Sequence, residues 1–197
     1  MGDPMAKDVP SLNQLKSRLT RLLPFATHFA ETVYRSSTPR YANEADLLTG
    51  EGSKRNGGRW NPIGIAVVYA SLTLETAMAE TLAHHRYYGI PLQDAMPRTF
   101  VAIRTNFQTV LDLRVGAIRQ RLQVSLGRIL AVDWRKEARA GREPITQAIG
   151  RAAAEVGLEG LIVPSATEAK GHNLLVFPLN LKAGSDLVVL NADSLPS

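Results

Sequence analysis

An α+β fold in one domain, with a mixed β core and flanking helices, is what this sequence predicts, and three observations carry that reading. The chain has 197 residues, a length that a single compact core can fill. Hydrophobic residues make up 45% and charged residues 21%, the balance of an ordinary globular protein rather than a disordered or fibrous one. Segments with helical spacing and short β-branched segments follow one another in an order that fits neither a doubly wound parallel sheet nor a helical bundle.

The elements can be taken in chain order. Leu12, Leu15, Leu19, Leu22 and Leu23 recur at helical spacing with Lys16, Arg18 and Arg21 between them, so this stretch reads as an amphipathic helix capped by Ser11 and ended by Pro24. Phe29 to Tyr34 alternates as a strand does. The polar stretch from Ser36 to Gly58, rich in Gly, Asn, Ser and charge, reads as a long loop, which at that length is either functional or disordered. Ile65 to Tyr69 is a buried strand that delivers Tyr69 and Ser71 to its end, and a helix follows from Thr73 to Tyr88. Pro97 to Arg104 and Thr109 to Leu113 read as two strands, and Val115 to Arg142 as one or two helices. Pro144 suits the first turn of a helix running to Val156, closed by Gly157 and Gly160. Strands at Leu161 to Val163, Asn173 to Phe177 and Leu187 to Leu190 complete the set.

Composition also narrows the chemistry. With no cysteine, thiol nucleophiles, disulfides and thiolate metal sites are excluded, which suits a reducing cytosol. Of the four histidines, His28 is isolated, His84 and His85 are adjacent and His172 is distant, matching no common metal-site spacing, so no metal is expected. The net charge of +5 permits attraction to nucleic acid, a dinucleotide or an acidic partner without choosing among them. The basic residues are spread along the chain without runs, as on a solvated basic surface. No apolar stretch approaches the roughly 20 residues of a membrane span and no apolar signal core opens the chain, so a cytoplasmic protein is expected. Met1 to Met5 reads as a cloning remnant ahead of a start at Met5.

Three places invite a chemical reading beside a structural one. Arg35, in Tyr34-Arg35-Ser36-Ser37 at a strand end, can donate two parallel hydrogen bonds to a phosphate or carboxylate; the structural alternative is a solvated cation. In Gly57-Gly58-Arg59-Trp60-Asn61-Pro62, paired glycines allow close backbone approach to a ligand and Arg59 can hold an anion, while Trp60 can equally anchor the loop to the core. Glu80 lies among small and apolar neighbours in Thr76-Ala77-Met78-Ala79-Glu80-Thr81-Leu82-Ala83, where a buried carboxylate requires a partner or ligand; the alternative is a solvent-facing residue one turn from His84. Gly-x-Gly-x-x-Gly, Walker and Gly-x-Ser-x-Gly signatures are absent, and Ser165, in Val163-Pro164-Ser165-Ala166, reads by itself as a structural hydroxyl at a strand end.

Together these pieces resemble the RES family, named for an Arg, a Glu and a Ser, whose members are toxins paired with Xre-type antitoxins. Arg35, the Gly57 to Pro62 stretch, Val68-Tyr69-Ala70-Ser71, Glu80 and Pro164-Ser165 match the family's motifs in the family's order, and Gly171-His172-Asn173 and Phe177-Pro178 extend the match. The resemblance implies a fold similar to ADP-ribosyltransferases and consumption of NAD, with the ADP-ribose passed to a protein, water or phosphate. Because breaking the nicotinamide–ribose bond develops oxocarbenium character, a carboxylate beside the sugar stabilises the transition state, and Glu80 takes that role. Arg35 and Arg59 are assigned to the pyrophosphate, Arg35 counting also among the catalytic residues. Tyr69 stacks on nicotinamide or orients the ribose, and Ser71 and Asn173 complete the NAD-binding set. Ser165 positions the ribose or Glu80.

The resemblance further implies NAD as substrate with no metal, and an Xre-type antitoxin that inhibits the protein and connects it to DNA only indirectly. It allows a protein target and a homodimer within a larger complex, with no membrane contact. The expected organisation is an N-terminal helical segment at 6–28 and a RES domain at 29–197. Two alternatives stand beside it: a nucleic-acid-binding or nuclease toxin, and a catalytically inactive RES-like binding module.

Overall fold

The computed structural model describes residues 9–196; the stretch from Met1 to Met5 lies outside the described residues. Helix α1 (Leu12–Thr20) opens with a capping box in which Ser11 Oγ accepts from Gln14 N at 3.3 Å and Gln14 Oε1 accepts from Ser11 N at 2.9 Å. Its buried Leu15 and Leu19 face the core, and Pro24 lies in a 3-10 turn beyond the helix end.

The expected strand at 29–34 is two strands, β1 (Thr27–Phe29) and β2 (Thr32–Ser37). Both run along one edge of β4 (Thr99–Asp112), in the same register on either side of the break between them, and β1 carries a register shift between Thr27 and Phe29. Arg35 therefore sits inside a strand rather than at its end. The long loop expected from Ser36 to Gly58 is instead largely helical, with a 3-10 turn at Pro39–Tyr41, α2 (Glu44–Leu48) and α3 (Glu51–Asn56). Asn43 caps α2 by accepting from Asp46 N at 3.0 Å, and Leu47 is its only buried residue. Gly50, at φ 69, packs so tightly on Val67 that a Cβ would come within 2.8 Å of Val67 N.

Strand β3 (Val68–Ser71) leads to α4 (Leu74–Tyr87), whose N-cap Thr73 accepts from Thr76 N at 3.2 Å. After α5 (Leu92–Ala95), β4 replaces the two strands expected at 97–104 and 109–113. Buried Thr105 and Phe107 bracket Asn106, so the alternation continues through residues that resemble a turn. The segment expected to hold one or two helices holds three: α6 (Gly116–Leu122), α7 (Leu126–Ala131) and α8 (Trp134–Arg139). Gln123 at φ 59 ends α6, while Ser125 and Asp133 cap the next two. Helix α9 (Ile145–Glu155) begins one residue after Pro144, and β5 (Gly160–Pro164), β6 (His172–Val176) and β7 (Asp186–Val189) fall close to the expected strands.

Strand β4 organises the seven-stranded sheet. Its N-terminal half pairs with β2, pairing continues through β3, β6 and β5, and β5 returns in parallel to β4 at Val110 to Asp112, closing a ring. One face of every strand fills the ring with Val33, Val68, Val101, Ile103, Phe107, Ile162, Leu174 and Val176. The outer face, with Val67, Leu111, Leu161, Val163 and Leu175, packs against α1, α6, α7 and α9. Trp60 belongs to this outer core, and Gly150 of α9 lies so close that a Cβ there would be 1.7 Å from Trp60 O. This packing fits an α+β domain with a mixed β core.

Glu159, fully buried ahead of β5, fastens the ring's parallel junction. Its Oε2 accepts from Gln108 N at 2.8 Å, Thr109 N at 2.7 Å and Thr109 Oγ1 at 3.0 Å, and its Oε1 accepts from Lys182 N at 3.1 Å. Burial raises the carboxyl pKa, but the hydrogen bonds outweigh it and hold the group below its ordinary value. A depressed folded-state pKa contributes stability above the unfolded value, about 4.3, and loses it as pH falls through the folded value. Glu159→Gln, which turns an amide N–H2 toward these donors, is expected to lower unfolding free energy at pH 7 by about 1–3 kcal/mol. In denaturant unfolding across pH, its deficit against the wild type should shrink below about pH 4.

Candidate active site

On the outer face of the ring, alternation along β3, β5 and β6 aims Tyr69, Ser71, Asn173 and the end of β5 at α4, and a cleft of about 780 Å³ opens between them. Its chemical centre is Glu80. Ser165 Oγ and Asn173 Nδ2 each donate to Glu80 Oε1 at 2.7 Å. Asn173 Oδ1 accepts in turn from Ser71 Oγ at 2.7 Å, so two buried strands fix the carboxylate through one amide. Ser165 Oγ also accepts from Thr167 N and Glu168 N, both at 3.1 Å, which orients its proton toward Glu80. The loop behind it is pinned to α4, since Thr76 Oγ1 donates to Glu168 Oε2 at 2.6 Å. Glu80 is thus half-buried, partnered and open to the cleft, rather than simply solvent-facing.

Arg35 reaches the cleft from β2, where its Nη1 donates to Tyr69 O at 3.3 Å. Its Nε is buried with no hydrogen-bond partner among the described residues. Burial lowers the guanidinium pKa and the field of Asp46 opposes it, although an arginine stays charged in any protein setting. A buried cationic donor with a spare N–H is a site for an anion.

The Gly57 to Pro62 turn serves both readings offered for it. Asn61, wholly buried, donates through Nδ2 to Ser53 O, Pro62 O and Ile65 O at 2.9, 3.1 and 2.9 Å. Tyr69 OH donates to Asn61 Oδ1 at 2.7 Å and accepts from Trp60 N at 2.9 Å, and burial pushes the phenol's pKa upward. Gly58 lies under that hydroxyl, where a Cβ would approach within 2.5 Å. Trp60 and Asn61 therefore build the turn, while Arg59 projects into the cleft. Arg59 Nη2 donates to Ile129 O and Leu130 O, each at 2.9 Å, tying the end of α7 to the rim.

Sequence reasoning missed the rest of the lining. His84, Tyr87 and Tyr88 follow Glu80 along α4, a helical spacing that could have placed them. Trp134 and Arg135 also line the cleft, unmarked because α8 is too short to show a period, and Arg98 lines it from just ahead of β4. Burial lowers the His84 pKa, and the nearby Arg135, His85 and Arg98 lower it further. Among the described residues, no three His, Asp or Glu side chains gather as a metal-binding group, and no helix is long and apolar enough to cross a membrane.

Comparison with known proteins gives consistent results. The RES domain family model matches residues 32–196. A Prs ADP-ribosylating toxin of Sphingobium sp. (strain YBL2) is 33% identical over 146 residues, covering 74% of this chain and 81% of that one. The NAD(+) phosphorylase MbcT of Mycobacterium tuberculosis (strain ATCC 25618 / H37Rv) is 27% identical over 141 residues, covering 70% and 69%. The fold matches a chain of the crystal structure of the M. tuberculosis MbcT–MbcA toxin–antitoxin complex with a TM-score of 0.71 at 23% identity, covering 92% of both chains.

The shared hydroxyl of Tyr69 gives a direct check on the turn. Tyr69→Phe leaves Trp60 N and Asn61 Oδ1 without their partner, and chemical denaturation should show a loss of about 1–3 kcal/mol, while the ring that lines the cleft remains.

Proposed function

The chain belongs to the RES domain family, and we propose that it is the toxin of a toxin–antitoxin pair that binds NAD and breaks its nicotinamide–ribose bond. The observation that carries this reading is the carboxylate of Glu80, held at one oxygen by Ser165 and Asn173 at 2.7 Å each and facing a cleft whose other charged lining, among the described residues, is Arg35, Arg59, Arg98 and Arg135. A dinucleotide brings to such a cleft two phosphate charges and a sugar that becomes positive as its bond breaks. Arginines suit the first and a lone carboxylate suits the second.

In this reading Arg35 and Arg59 bind the pyrophosphate, Arg35 through the buried Nε that lacks a protein partner. The Tyr69 ring supports the nicotinamide riboside, its hydroxyl being engaged with Trp60 and Asn61. As the bond between nicotinamide and ribose C1′ lengthens, its electron pair leaves with neutral nicotinamide and positive charge grows on the sugar beside Glu80. Because Ser165, Asn173 and Ser71 already hold that carboxylate, little reorganisation is needed when the charge appears. Ser165 and Asn173 are positioning residues, and a nucleophilic serine is not required. Water, phosphate or a protein side chain then takes the ADP-ribose. The working domain is 29–197, with the 6–28 segment adding Leu15 and Leu19 to the outer core. Inhibition comes from an Xre-type antitoxin in the cytoplasm, through an acidic segment laid over Arg35 and Arg59.

The test is to incubate the pure protein with NAD, with and without phosphate and lysate, and follow nicotinamide release by mass. Glu80→Gln should reduce turnover by about 10²–10³, or roughly 3–4 kcal/mol, with NAD affinity nearly kept. Arg35→Ala, which removes a ground-state contact, should weaken NAD binding as well. Near-normal NAD cleavage by Glu80→Gln together with reduced thermal stability would make Glu80 a structural acid and end the proposal.

A further inference from the structure

Apart from the positive charge that Arg135 lends to the cleft, the wall formed by the end of α4 and the start of α8 has no part in the chemistry described so far. It is built from Tyr87, Tyr88, His84, Trp134 and Arg135, all of which line the same cleft as Glu80. The Arg135 guanidinium lies 4.3 Å from the Tyr87 ring centroid, 4.4 Å from that of Trp134 and 5.3 Å from that of Tyr88. Arg135 Nε donates to Tyr88 OH at 3.3 Å, and its Nη2 lies 3.4 Å from His84 Nδ1. Arg139 Nη2 donates to Tyr87 OH, so the tyrosines are held at the rim by two arginines of α8. Yet Tyr87 is 44% and Tyr88 55% exposed, an unusual amount of aromatic surface for side chains whose polar ends are tethered.

We propose that this aromatic and guanidinium wall is a stacking platform for a purine base, and that it receives the adenine end of NAD while Glu80 faces the nicotinamide ribose. The proposal rests on the NAD-cleaving reading for the identity of the ligand, but its own support is the wall. Flat π surfaces with an interleaved arginine are what nucleobases stack on, through dispersion and cation–π attraction. An acidic peptide or a plain phosphate would need the cation but not the rings. The arrangement along α4 fits a dinucleotide as well. From Glu80 to Tyr87 is two helical turns, about 10 Å, on a single helix. Arg59 lines the same cleft as Glu80 and Arg135. Its bonds to Ile129 O and Leu130 O also hold the segment from which α8 starts. A ligand with a base, a pyrophosphate and a sugar therefore finds rings, arginines and a carboxylate within one cleft.

Trp134 makes the proposal testable without turnover, because the only other tryptophan, Trp60, is 2% exposed and, although it also touches the cleft, remains as the background signal in Trp134→Phe. AMP is titrated into the full-length protein while tryptophan emission is followed, with ribose 5-phosphate as the control that carries the phosphate but no base. Saturable quenching by AMP, none by ribose 5-phosphate, and loss of the signal in Trp134→Phe with AMP still bound by calorimetry are expected. Arg135→Ala should weaken AMP binding about tenfold, and Trp134→Ala should raise the KM for NAD by about tenfold with kcat little changed, the effect of losing one stacked base. Equal quenching by ribose 5-phosphate would show that only an anion is recognised and would overturn the platform. Unchanged AMP affinity in Arg135→Ala, or an unchanged KM for NAD in Trp134→Ala, would overturn it while leaving NAD cleavage intact. AMP quenching in a wild-type protein that releases no nicotinamide would instead retain the platform and remove the NAD-cleaving reading.

Discussion

The two 2.7 Å hydrogen bonds that hold Glu80 Oε1 are the constraint around which the molecule is arranged. A carboxylate placed on the covered face of a helix costs free energy unless donors meet it, and here the donors come from the two neighbouring strands β5 and β6. That requires β5 and β6 to be in register, with Val163 opposite Asn173 and Pro164 opposite His172, so that Ser165 follows at the end of one strand and Asn173 lies on the adjacent one. It also requires α4 to lie over their ends, which Thr76 and Glu168 secure from the opposite side of the loop. The ring closure through β4 fixes the strands, and the helices behind it fix the ring.

The same economy of parts explains why the Gly57 to Pro62 turn resists classification as functional or structural. Asn61 answers three backbone carbonyls and one phenol, Trp60 fills the outer core, and Gly58 gives way to the Tyr69 hydroxyl. Rigidity there is what allows Arg59 to reach both the cleft and the end of α7. A site that binds a charged, flexible dinucleotide gains from such anchoring, because arginines already fixed by the fold lose less freedom when the ligand arrives.

Much of this was legible in the sequence where an element is long or strongly marked. Ser11 caps the helix it was expected to cap, a helix runs from Leu74 to Tyr87 where one was expected from Thr73 to Tyr88, and the β-branched stretches around Val163 and Val189 form strands. Arg35, Arg59, Tyr69, Ser71, Glu80 and Asn173, singled out from motifs far apart in the chain, line one cleft, and Ser165 bonds to Glu80 at its edge. What stayed hidden had physical causes. Helix α2 buries only Leu47, so it shows no period, and α8 buries nothing among its own residues and likewise shows none. Asn106 resembles a turn residue but lies within an unbroken strand because its side chain finds His28 and Gly184 at the surface. The wall built by Trp134 and Arg135 depends entirely on where α8 packs, which no local signal records.

The central claim is that the carboxylate of Glu80 faces the scissile ribose of NAD. The most direct measurement is a crystal structure of Glu80→Gln, which retains the side-chain shape while slowing turnover, with NAD bound. The account predicts the nicotinamide ribose within hydrogen-bond reach of residue 80, about 2.6–3.2 Å, with the pyrophosphate on Arg35. NAD bound away from residue 80, or a nicotinamide ribose directed out of the cleft, would contradict it.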